Sequence, residues 1–252
     1  MTRFFAFLTT LVSIVILTLS AAQAQTMTSD QELQAQQTVL ALLDTYAERH
    51  PDAPLLTALQ CKTAKCTQQA EMWFDIPENA NKRLLLLSVS NGLDCHACTK
   101  GISLAWFVAS NAGWQLATLS PFIAQSGSYG DLSKDIQLLP VAADAYAIVF
   151  RESYTNQGIT SSKDRIFLPI DGIYKQVCCD IARAYDNEGA GVEPVAKWES
   201  KLESLPTTNA PYDLRYQLSG VVDGRPVTAD VVYTLDTDGY VTMEPLPSWL
   251  QQ

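Results

Sequence analysis

The chain has 252 residues, with 27 acidic against 17 basic side chains and a formal net charge of −10 at pH 7. That balance argues against nucleic acid and anionic lipid as partners, since both are held by clustered Lys and Arg. A chain of this length buries enough apolar surface to fold without cross-links, as one large β domain or two small ones.

The first 24 residues read as a secretory signal peptide. Arg3 supplies the positive end, and positions 4–19 are apolar except for the small hydroxyl residues Thr9, Thr10, Ser13 and Thr18. Ala22-Gln23-Ala24 then puts small residues at the two positions a signal peptidase inspects, which places cleavage after Ala24. The competing reading is an uncleaved anchor, because the run approaches the ~17 residues that span a bilayer. No second long apolar run follows. The expected product is therefore periplasmic or secreted, with no stable membrane insertion after cleavage.

Ser29-Asp30-Gln31-Glu32 reads as a capping box that starts a helix. Leu33, Leu40, Leu43 and Ala47 fall on one face of it, flanked by Val39 and Tyr46. Arg49 and His50 suit a helix C-terminus, and Pro51 stops the helix. Residues 51–70, with Cys61 and Cys66, read as an irregular connector. The expected organisation is a signal peptide (1–24), a helix and cysteine-containing connector (25–70) and a β-rich domain (71–252).

Beyond the connector, apolar and β-branched runs bounded by Gly, Pro, Asn and Asp predict strands at 71–76, 83–90, 102–110, 114–119, 136–139 and 146–152. The series continues at 165–170, 174–184, 212–222, 227–235 and 240–244. Three segments share a layout of an apolar–aromatic pair followed, across a Gly turn, by Trp114, Tyr174 or Tyr240. These are hairpins turning at 111–113, 171–172 and 237–239. Their spacing of about 60 residues leaves a structural repeat open beside an ordinary sandwich. The expected fold is mainly β: antiparallel sheets, either a sandwich or propeller-like repeat hairpins, with one N-terminal amphipathic helix. Asp236-Thr237-Asp238-Gly239 resembles the start of a calcium loop but lacks the later oxygen ligands, so a turn explains it better. Stretches 120–133 and 153–164 read as polar loops. They supply Tyr129, Tyr154, Asn156 and Gln157 as candidate binding residues, because β scaffolds carry function on loops.

Six cysteines, Cys61, Cys66, Cys95, Cys98, Cys178 and Cys179, are all disulfide candidates in an exported chain. Cys61 and Cys66 are close enough to pair locally. Cys178 and Cys179 fall in an expected strand, where neighbours point to opposite faces and resist bonding to each other. Cys95-His96-Ala97-Cys98 is open to three readings: a structural disulfide, which the sequence favours, a redox-active pair, or part of a metal site. Its spacing is that of thioredoxin-like oxidoreductases. The following stretch, 101–110, reads as a strand where that family has a helix, and Asp94 opposes a thiolate at Cys95. Thr99 stands where haem attachment needs a histidine. No cofactor or metal is expected, and no hydrolase elbow, phosphate loop or dinucleotide fingerprint occurs. The expected function is a non-catalytic binding or accessory module for another protein or an envelope component, for example an inhibitor. The alternative is a thiol–disulfide oxidoreductase or redox sensor using Cys95 and Cys98.

Overall fold

The computed structural model describes residues 26–250, apart from 64, 78, 94, 96, 97, 178–180, 209 and 238. Two helices come first, α1 (Ser29–Arg49) and α2 (Pro54–Ala58). A four-stranded meander follows: β1 (Thr67–Asp75), β2 (Lys82–Ser90), β3 (Lys100–Ser110) and β4 (Gly113–Ser126). The second sheet holds β5 (Ile136–Pro140), β6 (Tyr146–Asn156), β7 (Ile159–Ile170), β8 (Ile173–Gln176), β9 (Ile181–Asp186), β10 (Ala196–Leu205), β11 (Asp213–Val222), β12 (Arg225–Asp236) and β13 (Gly239–Thr242). Its order is β13-β12-β11-β10-β9-β7-β6-β5, with β8 also paired to β7, and every pairing in both sheets is antiparallel.

Alternation of side chains along two strands builds three cores from these two sheets. In β2, Leu85, Leu87 and Val89 face the helices and meet Val39, Leu43 and Leu56. Leu84 and Leu86 face the other way, and with Ile102 and Leu104 they pack on Ile148, Phe150, Phe167 and Tyr174 of the second sheet. In β6, Ala147 and Val149 turn to the far side, against Ile166, Trp198, Leu214, Tyr216 and Tyr240. Burial on both faces is why β2 and β6 read as continuous apolar runs rather than alternating ones. The larger sheet curls around its far-side core, so that Tyr212 N–H, just before β11, donates to the Val141 carbonyl just after β5 at 2.6 Å.

The result is a sandwich-like antiparallel fold. All three expected hairpins form, closed by Ser110 and Gly113, by Ile170 and Ile173, and by Asp236 and Gly239. One lies in the first sheet and two at separate places in the second, so they are not repeated blades.

Several local expectations are corrected. The capping box is one residue earlier: Thr28 accepts from Gln31 N–H and the Gln31 side chain returns the bond. Val39 and Leu43 are the fully buried residues of α1, whereas Leu33 is 54% exposed. The connector contains α2, whose Pro54 suits a helix start. β4 runs on through Pro121, tolerated where the register shifts and Phe122 adopts a φ of 50°. The expected strand 174–184 is two strands, β8 and β9. β10 was not anticipated. The cleavage site, His96, Cys178, Cys179 and Asp238 lie outside the described residues.

Candidate functional site

The loops at one end of the four-stranded sheet converge with the projecting end of β6–β7. β1 begins, β2 ends, β3 begins and β4 ends at this edge of the sheet, as the pairs Thr67–Ser90 and Lys100–Ser126 show. Both described disulfides are here. Cys61–Cys66 closes the turn before β1, with Cα atoms 5.2 Å apart, and packs on the helix-side core. Cys95–Cys98 closes the turn between β2 and β3, with Cα atoms 4.9 Å apart. Cys95 is exposed and Cys98 half-buried. The Cys98 carbonyl accepts from Gly130 N–H at 2.9 Å, which joins the cysteine turn to the turn that carries Tyr129.

That second turn is tightly made. Ser128 and Asp131 exchange backbone hydrogen bonds of 3.0 and 3.1 Å. Gly127 takes a φ of +90°, and a Cβ there would lie 1.7 Å from the Asp131 carbonyl oxygen, so no other residue fits without moving the turn. Tyr129, at a φ of 54°, is displayed at its tip and is 56% exposed.

Across from it, β6 and β7 extend past the end of β5. Between the hairpin and residues 127–135 lies a groove of about 810 Å³. Tyr129 and Tyr154 both line it, with Ser153, Ser161, Lys163 and Arg151 on the hairpin side and Asp131, Ser133, Lys134 and Asp135 opposite. Two of the four residues expected to bind therefore meet at one site. Tyr154 and Asn156 stand on a strand, not in a loop, because 153–164 is a regular hairpin. Asn156 pairs with Ile159 to close the turn, Gln157 occupies its tip at a φ of 50°, and neither lines the groove. The charged lining was missed, since isolated charges on strand ends and in turns carry no periodic signal.

Arg151 fixes the groove floor. Its guanidinium donates to Asp135 at 2.7 Å and reaches Asp164 at 3.4 Å. Asp164 is wholly buried and also accepts from the Tyr216 hydroxyl at 3.2 Å. Burial raises the Asp164 pKa, and nearby Arg151 and Arg183 only partly oppose it. Burial, then the charge of Asp164, pushes the Tyr216 hydroxyl far above its ordinary range, so it remains a donor. Arg183 in turn bonds Ser200 at 3.2 Å. A polar seam thus runs from the groove into the far-side core. Ser153 and Ser162 bond each other at 2.6 Å.

Among the described residues, no group of three or more His, Cys, Asp or Glu side chains is placed to hold a metal ion, and no helix is long and apolar enough to cross a membrane. His50 caps α1, its ring 4.4 Å from that of Tyr46. No family model, curated protein or solved structure matches this chain.

Proposed function

We propose that the protein is an exported, non-catalytic binding module, an accessory protein that recognises another protein or an envelope component through the groove beside Tyr129 and Tyr154. The observation that carries this reading is the groove itself. Two exposed tyrosines, on a turn and a strand each held by backbone hydrogen bonds, flank an open polar cleft. Aromatic side chains with a polar tip and few rotatable bonds suit recognition. Export is supported by the signal-peptide pattern of residues 1–24 and by two disulfides, which persist in oxidising compartments. An inhibitor of an envelope-directed hydrolase would be one such protein.

The test has two parts. N-terminal sequencing of the protein isolated from its producing cells should begin at Gln25. A photo-cross-linking amino acid at Tyr129 or Tyr154 should then give a discrete adduct in the periplasm or medium, and the same group at exposed Val241 should give none. Equal labelling from all three positions would count against the groove.

A second reading rests on Cys95–Cys98, bonded and with Cys95 exposed. It would make the chain a thiol–disulfide oxidoreductase or redox sensor. Against it, β3 starts at Lys100, so no helix N-terminus follows to stabilise a thiolate.

A further inference from the structure

We propose that the open edge of β6 receives an extended segment of a partner protein as an added strand. This deepens the binding reading and rests on it: it states what kind of partner the groove admits. β5 accompanies β6 only as far as the pair Ile136–Phe150, and Arg151 N–H then donates to the Asp135 carbonyl at 2.9 Å. From Glu152 to Asn156, the described residues offer β6 a strand only on its other edge, β7.

The direction of the open groups follows from the turn. Asn156 and Ile159 close a two-residue hairpin, so alternation sends the main-chain groups of Asn156, Tyr154 and Glu152 to β7. The N–H and C=O of Ser153 and Thr155 point the opposite way, in step with those of Arg151, which meet the segment 133–135. They continue the ladder that β5 began and face the groove. The side chains of Ser153 and Thr155 bond Ser162 and Thr160, and among the described residues no strand meets their outward main-chain groups.

Two further observations favour a polypeptide over a small ion. The groove lining balances Arg151, Lys134 and Lys163 against Asp131, Asp135 and Glu152, so no net charge selects an anion or a cation. Strand edges are ordinarily guarded by proline, lysine or a bulge. Ser153-Tyr154-Thr155 has neither residue, and the β6–β7 register runs unbroken from 148 to 156. An uncharged main chain with alternating donors and acceptors is what this edge complements.

The test uses the full chain and linear peptides selected on it from a displayed random library, synthesised and measured by fluorescence anisotropy. Ser153→Pro and Thr155→Pro each delete an outward N–H that takes no part in the β6–β7 ladder. Each should weaken binding about fivefold or more, the worth of one hydrogen bond, and by more than Ser153→Ala and Thr155→Ala, which remove the side chains but keep both N–H groups. Should a proline variant fail to fold, peptides carrying ester linkages report on the parent protein instead: affinity should fall only at alternate linkages. Peptides that are lost with Tyr129→Ala or Tyr154→Ala but are indifferent to prolines and esters would overturn strand addition and leave the binding groove standing. Failure to select any peptide would also overturn it, independently of the cross-linking result. If instead the parent dimerises and the proline variants are monomeric, the occupant is a second copy of this chain and the proposal is wrong.

Discussion

Asp164 is an ionisable side chain with no access to water, set among Arg151, Arg183 and Tyr216. Breaking a buried charge pair usually costs several kcal/mol, but here the desolvation of the carboxylate outweighs the attraction of both guanidiniums and its pKa is raised. The sign of the linkage follows. Between the unfolded and folded pKa values the folded state binds more proton, so stability falls as pH rises through that range. The stability of the parent relative to Asp164→Asn should therefore increase as pH is lowered from neutral and level off near pH 4, where an unfolded carboxyl titrates. Urea denaturation of both proteins across that range measures it. A difference that stays constant, or shrinks on acidification, would mean that the arginines dominate.

At the scale of elements, α1 separates what its sequence pattern shows from what packing selects. At 3.6 residues per turn, the expected stripe of Leu33, Leu40, Leu43 and Ala47 spreads over about 80°, and the sheet covers its Leu43 flank together with Val39 while Leu33 stays exposed. The helix rests on β1 and β4, with Glu32 paired to Arg83, and that contact decides which flank is buried. Leu43→Ala should cost about 2–4 kcal/mol and Leu33→Ala less than about 0.5 kcal/mol, read from chemical denaturation. Equal effects would mean that the whole stripe, Leu33 included, is covered. The existence of α1, the mainly β class and all three hairpins were legible because period and turn chemistry are local. β10 was not, although Ala196, Trp198, Ser200 and Leu202 alternate cleanly with exposed neighbours. Its apolar residues are broken up by Lys197, Glu199, Lys201 and Glu203, so no apolar run marks it, and the buried position of Ser200 makes sense only with Arg183 beside it. The groove was half legible: Tyr129 and Tyr154 stood out as polar-loop aromatics, while Arg151 and Asp135 needed the fold to bring them together.

For the whole molecule, the two-sided burial of β2 and β6 ties the three cores into a chain. Losing the helix-side core strips one face of β2, whose other face belongs to the core between the sheets, and β6 passes the disturbance on to the far side. Unfolding should accordingly be a single cooperative transition. Calorimetric and van't Hoff enthalpies should agree, and Leu87→Ala on the helix side should shift the transition seen by near-ultraviolet dichroism and by far-ultraviolet dichroism equally. Two separated transitions would divide the molecule at one of these shared strands.

The disulfides bear on this in a different currency, that of chain entropy. Cys61–Cys66 and Cys95–Cys98 enclose separations of only 5 and 3 residues. Such small rings restrict the unfolded chain little, and in the loop-entropy picture each contributes about 2 kcal/mol or less, against nearly 5 for a ring of ~100 residues. Neither bond links one sheet to the other. Among the described residues, oxidation therefore shapes two neighbouring turns at one end of the molecule while the apolar strands hold the sandwich together, so reduction of these two bonds should leave both sheets paired.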